Sequence, residues 1–314
     1  FLIIINMIDN SFKLDMLLGT GGSSKVYSCY DPTGELYAVK IIRKDKKFSN
    51  TLAKSLLETE INIMQEMYEH PNILNGYSLN TEGVFEANGK FEQIMYCIIE
   101  LAKKGTIKTF IRRSGCLEEN ICRFYAIQIA NAVAYLHSKD YAHMDVKVDN
   151  ILLEENFNCK LADMGTCVKT QNGMTTRRCG TKQYMAPEML EGHKETSYSA
   201  FKSDAYSLGV TIYVMLTGKF PNSNESTTLT NDSSCRSVDS DTTKEDILLS
   251  CISDECKDLL ERLLSVDPAK RPSVTEILEH PWLANTGECV SPSDIFLEMK
   301  AREDYIVGNH ATCS

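Results

Sequence analysis

The sequence predicts an α+β fold in which strands dominate the first third of the chain and helices the rest. Residues 11–42 contain β-prone apolar runs separated by glycines, and residues 94–99 form another continuous apolar run. In contrast, residues 117–139 repeat apolar side chains at the spacing of a helix. With 314 residues the chain is long enough for one unit of two lobes or for two small domains.

The composition argues against several classes of function. A formal net charge of −10 disfavours a surface that binds nucleic acid. The 12 cysteines include no C-x₂-C pair and follow no secretory leader, so we expect reduced thiols in a cytoplasmic protein, with the nucleus as an alternative. Residues 1–5 are apolar but too few to span a bilayer, so we expect no membrane partner.

The first predicted strands enclose a glycine-rich loop. Gly19, Gly21 and Gly22 lie between two apolar runs, where the lack of side chains lets backbone N–H groups approach phosphate oxygens. A plain hairpin turn is the more common reason for glycines in such a loop. The next predicted strand, residues 36–42, carries Lys40 among apolar residues, which is costly unless an anion pairs with it.

Residues 49–69 show the pattern of an amphipathic helix. Apolar residues recur at Leu57, Ile61, Met64 and Met67. Glu60 lies beside this stripe, so it either reaches Lys40 or belongs to a solvated face of the helix.

A central stretch, defined here as residues 142–150, carries the densest chemistry. It contains Asp145, Lys147 and Asn150, and Asp163 follows soon after. Phosphoryl transfer needs these groups: one carboxylate takes up the acceptor's proton, another holds Mg²⁺ with an amide oxygen, and a lysine offsets phosphate charge. The alternative is that Asp and Asn simply form turns here.

These patterns occur in the order found in eukaryotic protein kinases, which the chain resembles over residues 12–283. The glycine loop G-x-G-x-x-G-x-V is matched by Gly19, Gly21 and Val26, with Ser24 at the third glycine. Tyr-Ala-Val-Lys at 37–40 resembles the strand lysine motif, and Glu60 the helix glutamate.

Further kinase motifs follow in the second part of the chain. His-Met-Asp at 143–145, Asp-Met-Gly at 163–165 and Ala-Pro-Glu at 186–188 resemble H-R-D, D-F-G and A-P-E. Residues 204–209 and 267–272 match later landmarks of the family. In this family Glu188 and Arg271 would form a buried ion pair.

The resemblance implies a two-lobed fold with one mostly antiparallel β-sheet and one mostly helical lobe. The small lobe would span 12–99, the hinge 100–102 and the large lobe 103–283. Residues 1–11 would be an N-terminal extension and residues 284–314 a tail. Residues 222–244, rich in Ser, Thr and Asn, would form an exposed polar loop.

The resemblance also implies the activity: transfer of the γ-phosphate of ATP to serine or threonine hydroxyls of protein substrates. Asp145 would accept the hydroxyl proton and Lys147 would neutralise the γ-phosphate, while Lys147 and Thr181 indicate Ser/Thr rather than Tyr acceptors. Mg²⁺ would bind Asn150 and Asp163. The nucleotide would contact Leu18, Gly19, Thr20, Gly21, Gly22, Val26, Ala38, Lys40, Glu60, Ile99, Glu100, Ala102 and Leu152.

Some positions depart from the family pattern. Met144 replaces the arginine that a phosphorylated loop usually neutralises, and Arg177 occupies the usual phosphorylation position. Our hypothesis is therefore that phosphorylation of Thr175 or Thr176 is not required for activity. Together with Met164 and Ser24, Met144 also leaves open an alternative function, a pseudokinase that binds ATP as a signalling scaffold.

Substrate preference is weakly encoded. Asp149 keeps one acidic charge in the expected peptide groove, whereas Thr106 and Val214 occupy places where related kinases carry others. Arg178 and Lys182 are expected to face the residue after the acceptor, which predicts a preference for an acidic residue there. The alternative is that both are solvated surface cations.

The tail predicts a short helix at 293–303. Its charges are mixed, whereas a calmodulin-binding segment needs a basic amphipathic helix, so we expect no calmodulin partner. The helix would either pack on the large lobe or fray. The pattern before His-Pro-Trp-Leu at 280–283 resembles the calcium/calmodulin-dependent kinase group most.

Overall fold

A computed structural model of the chain describes residues 6–21, 24–43, 50–87, 89–191, 195–221, 252–284 and 291–311. Gly22 and the predicted polar loop 222–244 therefore lie outside the described residues. The chain divides into two units. The first comprises Phe1–Lys103 with Asp163–Gly165, and the second comprises Lys104–Ala162 with Thr166–Ser314.

The first unit is an antiparallel sheet with one helix. The strands are β1 (Met7–Ile8), β2 (Phe12–Thr20), β3 (Ser24–Tyr30), β4 (Leu36–Arg43), β5 (Gly76–Ala87) and β6 (Lys90–Ile99), and the helix is α1 (Asn50–Glu66). The spatial order is β1-β2-β3-β4-β6-β5, and β1 pairs with β5 as well as with β2.

Residues 6–11 of the predicted N-terminal extension belong to this sheet. Ile8 is fully buried in a core with Val39, Ile41 and Ile98. The Asp9 carboxylate accepts hydrogen bonds from the backbone N of Val84 at 2.6 Å, from the Tyr96 hydroxyl at 2.8 Å and from Asn80 Nδ2 at 2.8 Å. These hydrogen bonds fix the segment between β1 and β2 against β5 and β6.

Helix α1 confirms the predicted amphipathic pattern. Leu57, Ile61 and Met64 are buried on the helix, and Met67 is buried just beyond its end. The stripe packs against β5 and β6, which explains why the sequence alternates apolar and polar residues at helical spacing here.

The second unit is mostly helical. Its helices are α2 (Ile107–Ser114), α3 (Glu119–Ser138), α4 (Pro187–Glu191), α5 (Ala200–Thr217), α6 (Asp254–Leu263), α7 (Val274–Leu278), α8 (Pro281–Ala284) and α9 (Pro292–Ala311). Short strands are β7 (Tyr141–Ala142), β8 (Ile151–Leu153), β9 (Cys159–Leu161), β10 (Val168–Lys169), β11 (Met174–Thr175) and β12 (Tyr198–Ser199). Single 3₁₀ turns lie at Val148–Asn150, Lys182–Tyr184 and Pro268–Lys270, and another, Met164–Thr166, crosses the unit boundary.

Helices α3 and α5 form the centre of this unit. The predicted apolar repeat of α3 is buried at Ile121, Tyr125, Ile129 and Val133. Helix α5 is buried along most of its length, and the Ser199 hydroxyl caps it by accepting a hydrogen bond from the backbone N of Lys202. The predicted α+β class, with a sheet-rich unit and a helical unit, is confirmed.

Helix α9 is longer than the predicted helix at 293–303, and it packs rather than frays. Ile295 and Met299 are buried on one face. Arg302 Nη1 donates hydrogen bonds to the backbone oxygens of Ser114 and Gly115 at the end of α2, both at 3.3 Å. The tail is therefore part of the second unit.

Candidate active site

The first unit holds Lys40 in an anionic environment. Its Nζ lies 2.7 Å from Glu60 Oε1 and 2.8 Å from Glu60 Oε2, and 3.3 Å from Asp163 Oδ1. Glu60 is only 5% exposed, so the predicted pairing is confirmed and the solvated-face alternative is wrong. Strand β4 and helix α1 thus supply one group each to a charged cluster.

Electrostatics keep the Lys40 ammonium protonated. Burial alone would lower its pKa, but the negative charges of Glu60 and Asp163 outweigh burial, and the net pKa is raised. Asp163 adopts a left-handed backbone conformation with φ of +66°, and the following Met164 is fully buried. Met164 therefore has the apolar role expected for the residue that replaces phenylalanine.

Strand register aligns several of the predicted nucleotide-binding residues. Gly19 on β2 pairs with Val26 on β3, and Val26 pairs with Lys40 on β4. Ala38 on β4 pairs with Ile99 on β6, and both are predicted nucleotide-binding residues. Three neighbouring strands therefore bring the glycine loop and the lysine to adjacent positions in one sheet.

The remaining predicted nucleotide-binding residues are more exposed or lie elsewhere. On β2, Leu18 and Thr20 are exposed, and Gly21 follows them with its backbone N donating to Ser24 O at 2.8 Å. After β6, the Glu100 backbone N donates to Asn75 O at 2.9 Å. Ala102 is half-buried in the first unit, whereas Leu152 lies on β8 in the second.

In the second unit, Asp145 is the centre of a hydrogen-bonded group. Lys147 Nζ lies 2.6 Å from Asp145 Oδ2 and 2.7 Å from the Thr181 hydroxyl oxygen. The Thr181 backbone N donates to Asp145 Oδ1 at 2.8 Å. Asn150 Nδ2 donates to the Asp145 backbone O at 2.9 Å and to Oδ2 at 3.3 Å. Asp145, Lys147, Asn150 and Thr181 thus form one hydrogen-bonded group.

A second carboxylate, that of Asp204 on α5, holds the central stretch in place. It accepts hydrogen bonds from the backbone N atoms of His143 and Met144, both at 2.8 Å, and His137 Nε2 lies 2.9 Å away. Asp204 is fully buried. Although the sequence comparison marked it as a landmark, this positioning role was missed because no local pattern connects it to residues 143–144.

Met144 belongs to an apolar cluster in the second unit. It is buried with Val168, Ala186, Met189 and Tyr198, among others, at a backbone φ of +68°. The position that carries an arginine in most kinases therefore lies in an apolar environment here.

Arg178 makes contacts that neither sequence interpretation included. Its Nη1 donates to the backbone O of Glu188 at 2.6 Å, and its guanidinium lies 4.9 Å from the Tyr198 ring centroid. The solvated-cation interpretation is wrong for this residue, because these contacts occupy it within its own unit. Lys182, in contrast, is exposed.

The predicted ion pair between Glu188 and Arg271 is confirmed. Arg271 Nη1 and Nη2 lie 2.7 and 2.8 Å from the two Glu188 carboxylate oxygens, and Arg271 is 1% exposed. This bidentate geometry fixes the Ala-Pro-Glu segment against the 3₁₀ turn at Pro268–Lys270.

The donor chemistry suits Mg²⁺. Among the described residues, no group of three or more His, Cys, Asp or Glu side chains could hold a metal ion. Asn150 uses its amide nitrogen toward Asp145, which leaves its amide oxygen as the metal donor. Mg²⁺ commonly binds one or two such protein oxygens together with substrate phosphates. Asn150 in the second unit and Asp163 in the first each carry one such oxygen donor.

The protein kinase domain family model matches residues 12–283. The chain belongs to the protein kinase family. The predicted resemblance is therefore confirmed.

The relatives carry serine/threonine kinase names. Over 290 residues the chain is 34% identical to the cell cycle serine/threonine-protein kinase CDC5/MSD2 of Saccharomyces cerevisiae, covering 91% of this chain and 38% of that protein. It is 32% identical over 312 residues to serine/threonine-protein kinase 33 of Mus musculus, covering 93% and 59%. It is 33% identical over 273 residues to Aurora kinase of Schizosaccharomyces pombe, covering 87% and 71%.

The chain thus spans well under two thirds of the length of the first two relatives. Across the part of the chain that the structure describes, no helix is both long and apolar enough to cross a membrane. Closer similarity to the calcium/calmodulin-dependent group stays a prediction.

Proposed function

We propose that this domain is an active serine/threonine protein kinase that transfers the γ-phosphate of ATP to protein hydroxyls. The observation that carries the proposal is the hydrogen-bonded group of Asp145, Lys147 and Thr181. A carboxylate, an ammonium and a hydroxyl in direct contact provide a proton acceptor beside a positive charge, and both are needed when a hydroxyl attacks a phosphoryl group.

Asp145 is the acceptor of the substrate hydroxyl proton. Its Oδ1 is fixed by the Thr181 backbone N and its Oδ2 by Lys147, so the carboxylate is oriented before substrate arrives. Lys147 neutralises charge that develops on the transferred phosphoryl group. Thr181 positions Lys147 through its hydroxyl.

Lys40 binds the α- and β-phosphates of ATP and is held by Glu60. In the family pattern Asn150 and Asp163 would hold Mg²⁺, which would neutralise charge on the phosphates. The other nucleotide contacts remain those inferred from the family pattern, with Ile99 behind the base and Glu100 and Ala102 as the hinge.

Activation does not require loop phosphorylation in this proposal. Met144 is packed in an apolar cluster, so there is no cation at this position for a phosphate to neutralise. The preference for an acidic residue after the acceptor now depends on Lys182 alone, because Arg178 is engaged by Glu188 and Tyr198.

The second candidate function is an ATP-binding scaffold without transferase activity. Its support is the three departures Ser24, Met144 and Met164. None of them removes a group that phosphoryl transfer needs, so we favour the enzyme.

The test is Mg²⁺-dependent transfer of phosphate from ATP to Ser/Thr peptide libraries. We expect Asp145→Asn to lower kcat at least about 100-fold, the low end of what general-base catalysis supplies. Asp140→Asn is the matched control, because Asp140 is exposed and Asn tolerates its backbone φ of +60°. Phosphate transfer by Asp145→Asn at the wild-type rate would refute the assignment of Asp145 as the catalytic base. No transfer in the wild type, with ATP still raising the melting temperature, would favour the scaffold.

A further inference from the structure

An ion pair lies beside the proposed catalytic base. Lys108 Nζ on α2 is 2.5 Å from Asp149 Oδ1 in the 3₁₀ turn Val148–Asn150. Both side chains are about one third exposed, at 33% and 35%, so the pair is accessible from solvent. The sequence interpretation of Asp149 as an acidic charge in the peptide groove did not include this partner.

The pair is close to the reacting group. Asp149 immediately precedes Asn150, whose side-chain amide donates to Asp145. Burial, and then the negative charges of Asp149 and Asp145, raise the pKa of Tyr184, so both carboxylates act on one phenol. Along an extended peptide, residues two or three positions from the acceptor lie roughly 7–11 Å from it. Asp149 is four residues from Asp145, which limits their Cα separation to roughly 14 Å, so the side chains that flank an acceptor at Asp145 lie in the same range of distances as the pair.

Helix α2 adds positive charge to this side. It carries Lys108, Arg112 and Arg113 and has no acidic residue, in a chain whose net charge is −10. Lys108 and Arg112 are four residues apart and so lie on the same face of the helix. Arg112 is exposed. The acidic charge of Asp149 is thus cancelled by a helix that is basic overall.

We propose that Lys108 is a specificity-determining residue that disfavours basic side chains before the acceptor and favours acidic or neutral ones. An unpaired Asp149 would attract arginine or lysine in a peptide. With Lys108 bound to it, an approaching cation meets a neutralised carboxylate and the positive charge of Arg112, whereas an acidic side chain meets no net repulsion. This inference rests on the proposed function, because it concerns the peptide that the kinase accepts.

The test uses three peptides that differ only at the second and third positions before one serine, with Arg, Ala or Glu there. For the wild type we expect kcat/KM in the order Glu or Ala above Arg. Lys108→Met keeps the length of the side chain but removes its charge. It should raise the ratio of Arg-peptide to Glu-peptide kcat/KM by about two- to fivefold, since exposed charge pairs have effects of this size. Adding Asp149→Asn to Lys108→Met should return the ratio toward the wild-type value.

The control is Lys257→Met, which removes one positive charge from an exposed position on α6 and should leave the ratio unchanged. A wild type that prefers the Arg peptide, or a Lys108→Met variant with an unchanged ratio, would overturn the proposal. A purely structural role for Lys108 would alter the melting temperature and all three peptides equally.

Peptide binding separates this proposal from the proposed function. Fluorescence anisotropy of the same labelled peptides on the Asp145→Asn domain measures the Kd ratio of Arg to Glu peptides without any transfer. If no peptide were phosphorylated by the wild type, the proposed function would fail. The Kd ratio and its change in Lys108→Met would still support or refute the role of Lys108.

Discussion

Gly180 approaches Met144 so closely that a Cβ atom on Gly180 would lie well inside contact distance of the Met144 carbonyl oxygen. Gly180 also has a backbone φ of +111°, a conformation that L-residues rarely adopt. The next residue, Thr181, donates its backbone N to Asp145. The glycine therefore lets two backbone segments meet at the distance that the Asp145 hydrogen bond requires.

We predict that Gly180→Ala lowers kcat about 100-fold or more, because displacement by even 1 Å at a catalytic group has effects of that size. It should also destabilise the domain by about 2–4 kcal/mol through steric overlap and backbone strain. Peptide phosphorylation and thermal unfolding measure the two effects. Gly34→Ala is the control, because Gly34 has a φ of +90° but open space around its Cβ position. Equal behaviour of the two variants would show that the approach to Met144 is unimportant.

Thr181→Val should lower kcat by about tenfold or more with little change in the KM for ATP. Valine matches threonine in shape but cannot bond Lys147, whose Nζ lies 2.7 Å from the hydroxyl oxygen. Thr181→Ser keeps the hydroxyl and should retain most activity. Steady-state kinetics of both variants give the kcat values and the KM for ATP that are compared. A fall of the same size in Thr181→Ser would point to the methyl group instead of the hydrogen bond.

Met144→Arg should destabilise the domain by about 3 kcal/mol, because it places a charge in an apolar cluster. Met144→Leu should cost less than about 1.5 kcal/mol, since it conserves volume and polarity. Chemical denaturation of both variants compares the two values. An arginine variant as stable as the leucine variant would mean that position 144 accepts a cation without phosphorylation.

Glu119 should make the second unit sensitive to acid. Partial burial would raise its pKa, but hydrogen bonds from Ser253 and Trp282 and the charge of Arg123 outweigh burial and hold the pKa below its ordinary value. A lowered folded pKa contributes stability that is present above the unfolded pKa of about 4.3 and is lost as pH falls through the folded pKa. Below about pH 4.3, the free energy of unfolding should therefore fall less steeply with falling pH in Glu119→Gln than in the wild type. Denaturation curves from pH 3 to 7 test this, and parallel curves for the two proteins would contradict it.

Met299→Ala should cost about 2–4 kcal/mol of unfolding free energy, because Met299 is fully buried between α9 and the rest of its unit. Leu297→Ala, on the same helix but 66% exposed, should change stability by less than about 0.5 kcal/mol. Urea unfolding monitored by circular dichroism compares them. Similar values would indicate that α9 does not pack as described.

The sequence was sufficient where chemistry and periodicity are local. The stripe on α1 predicted its buried face, and the cost of a lysine in an apolar strand predicted an anionic partner for Lys40, which is Glu60. The residue types Asp145, Lys147 and Asn150, close together in the sequence, predicted one chemical group, and the structure joins them by hydrogen bonds. These inferences need only helix geometry and the energetics of buried charge.

The sequence was insufficient where contacts join distant segments. Asp204 bonds residues 143–144, some sixty positions earlier, and no periodicity indicates such a bond. Lys108 pairs with Asp149 across 41 positions, and the interpretation of Asp149 as a charge in the peptide groove did not include this partner. For Arg178 the sequence left a substrate-facing and a solvated position open, because its contact with the Glu188 carbonyl depends on how the chain folds back, which residue type alone does not determine.

Helix α9 has a practical consequence for the design of chimaeras between catalytic domains. The family match ends at residue 283, but Phe296 on α9 stacks edge-on against Phe157 with ring centroids 5.5 Å apart, and Glu303 lies 3.1 Å from Lys104. A graft cut at the family boundary would uncover the apolar surface that Ile295 and Met299 now bury. Such a hybrid should aggregate because this apolar surface is exposed to solvent. A graft cut after residue 311 retains α9, which keeps the surface buried.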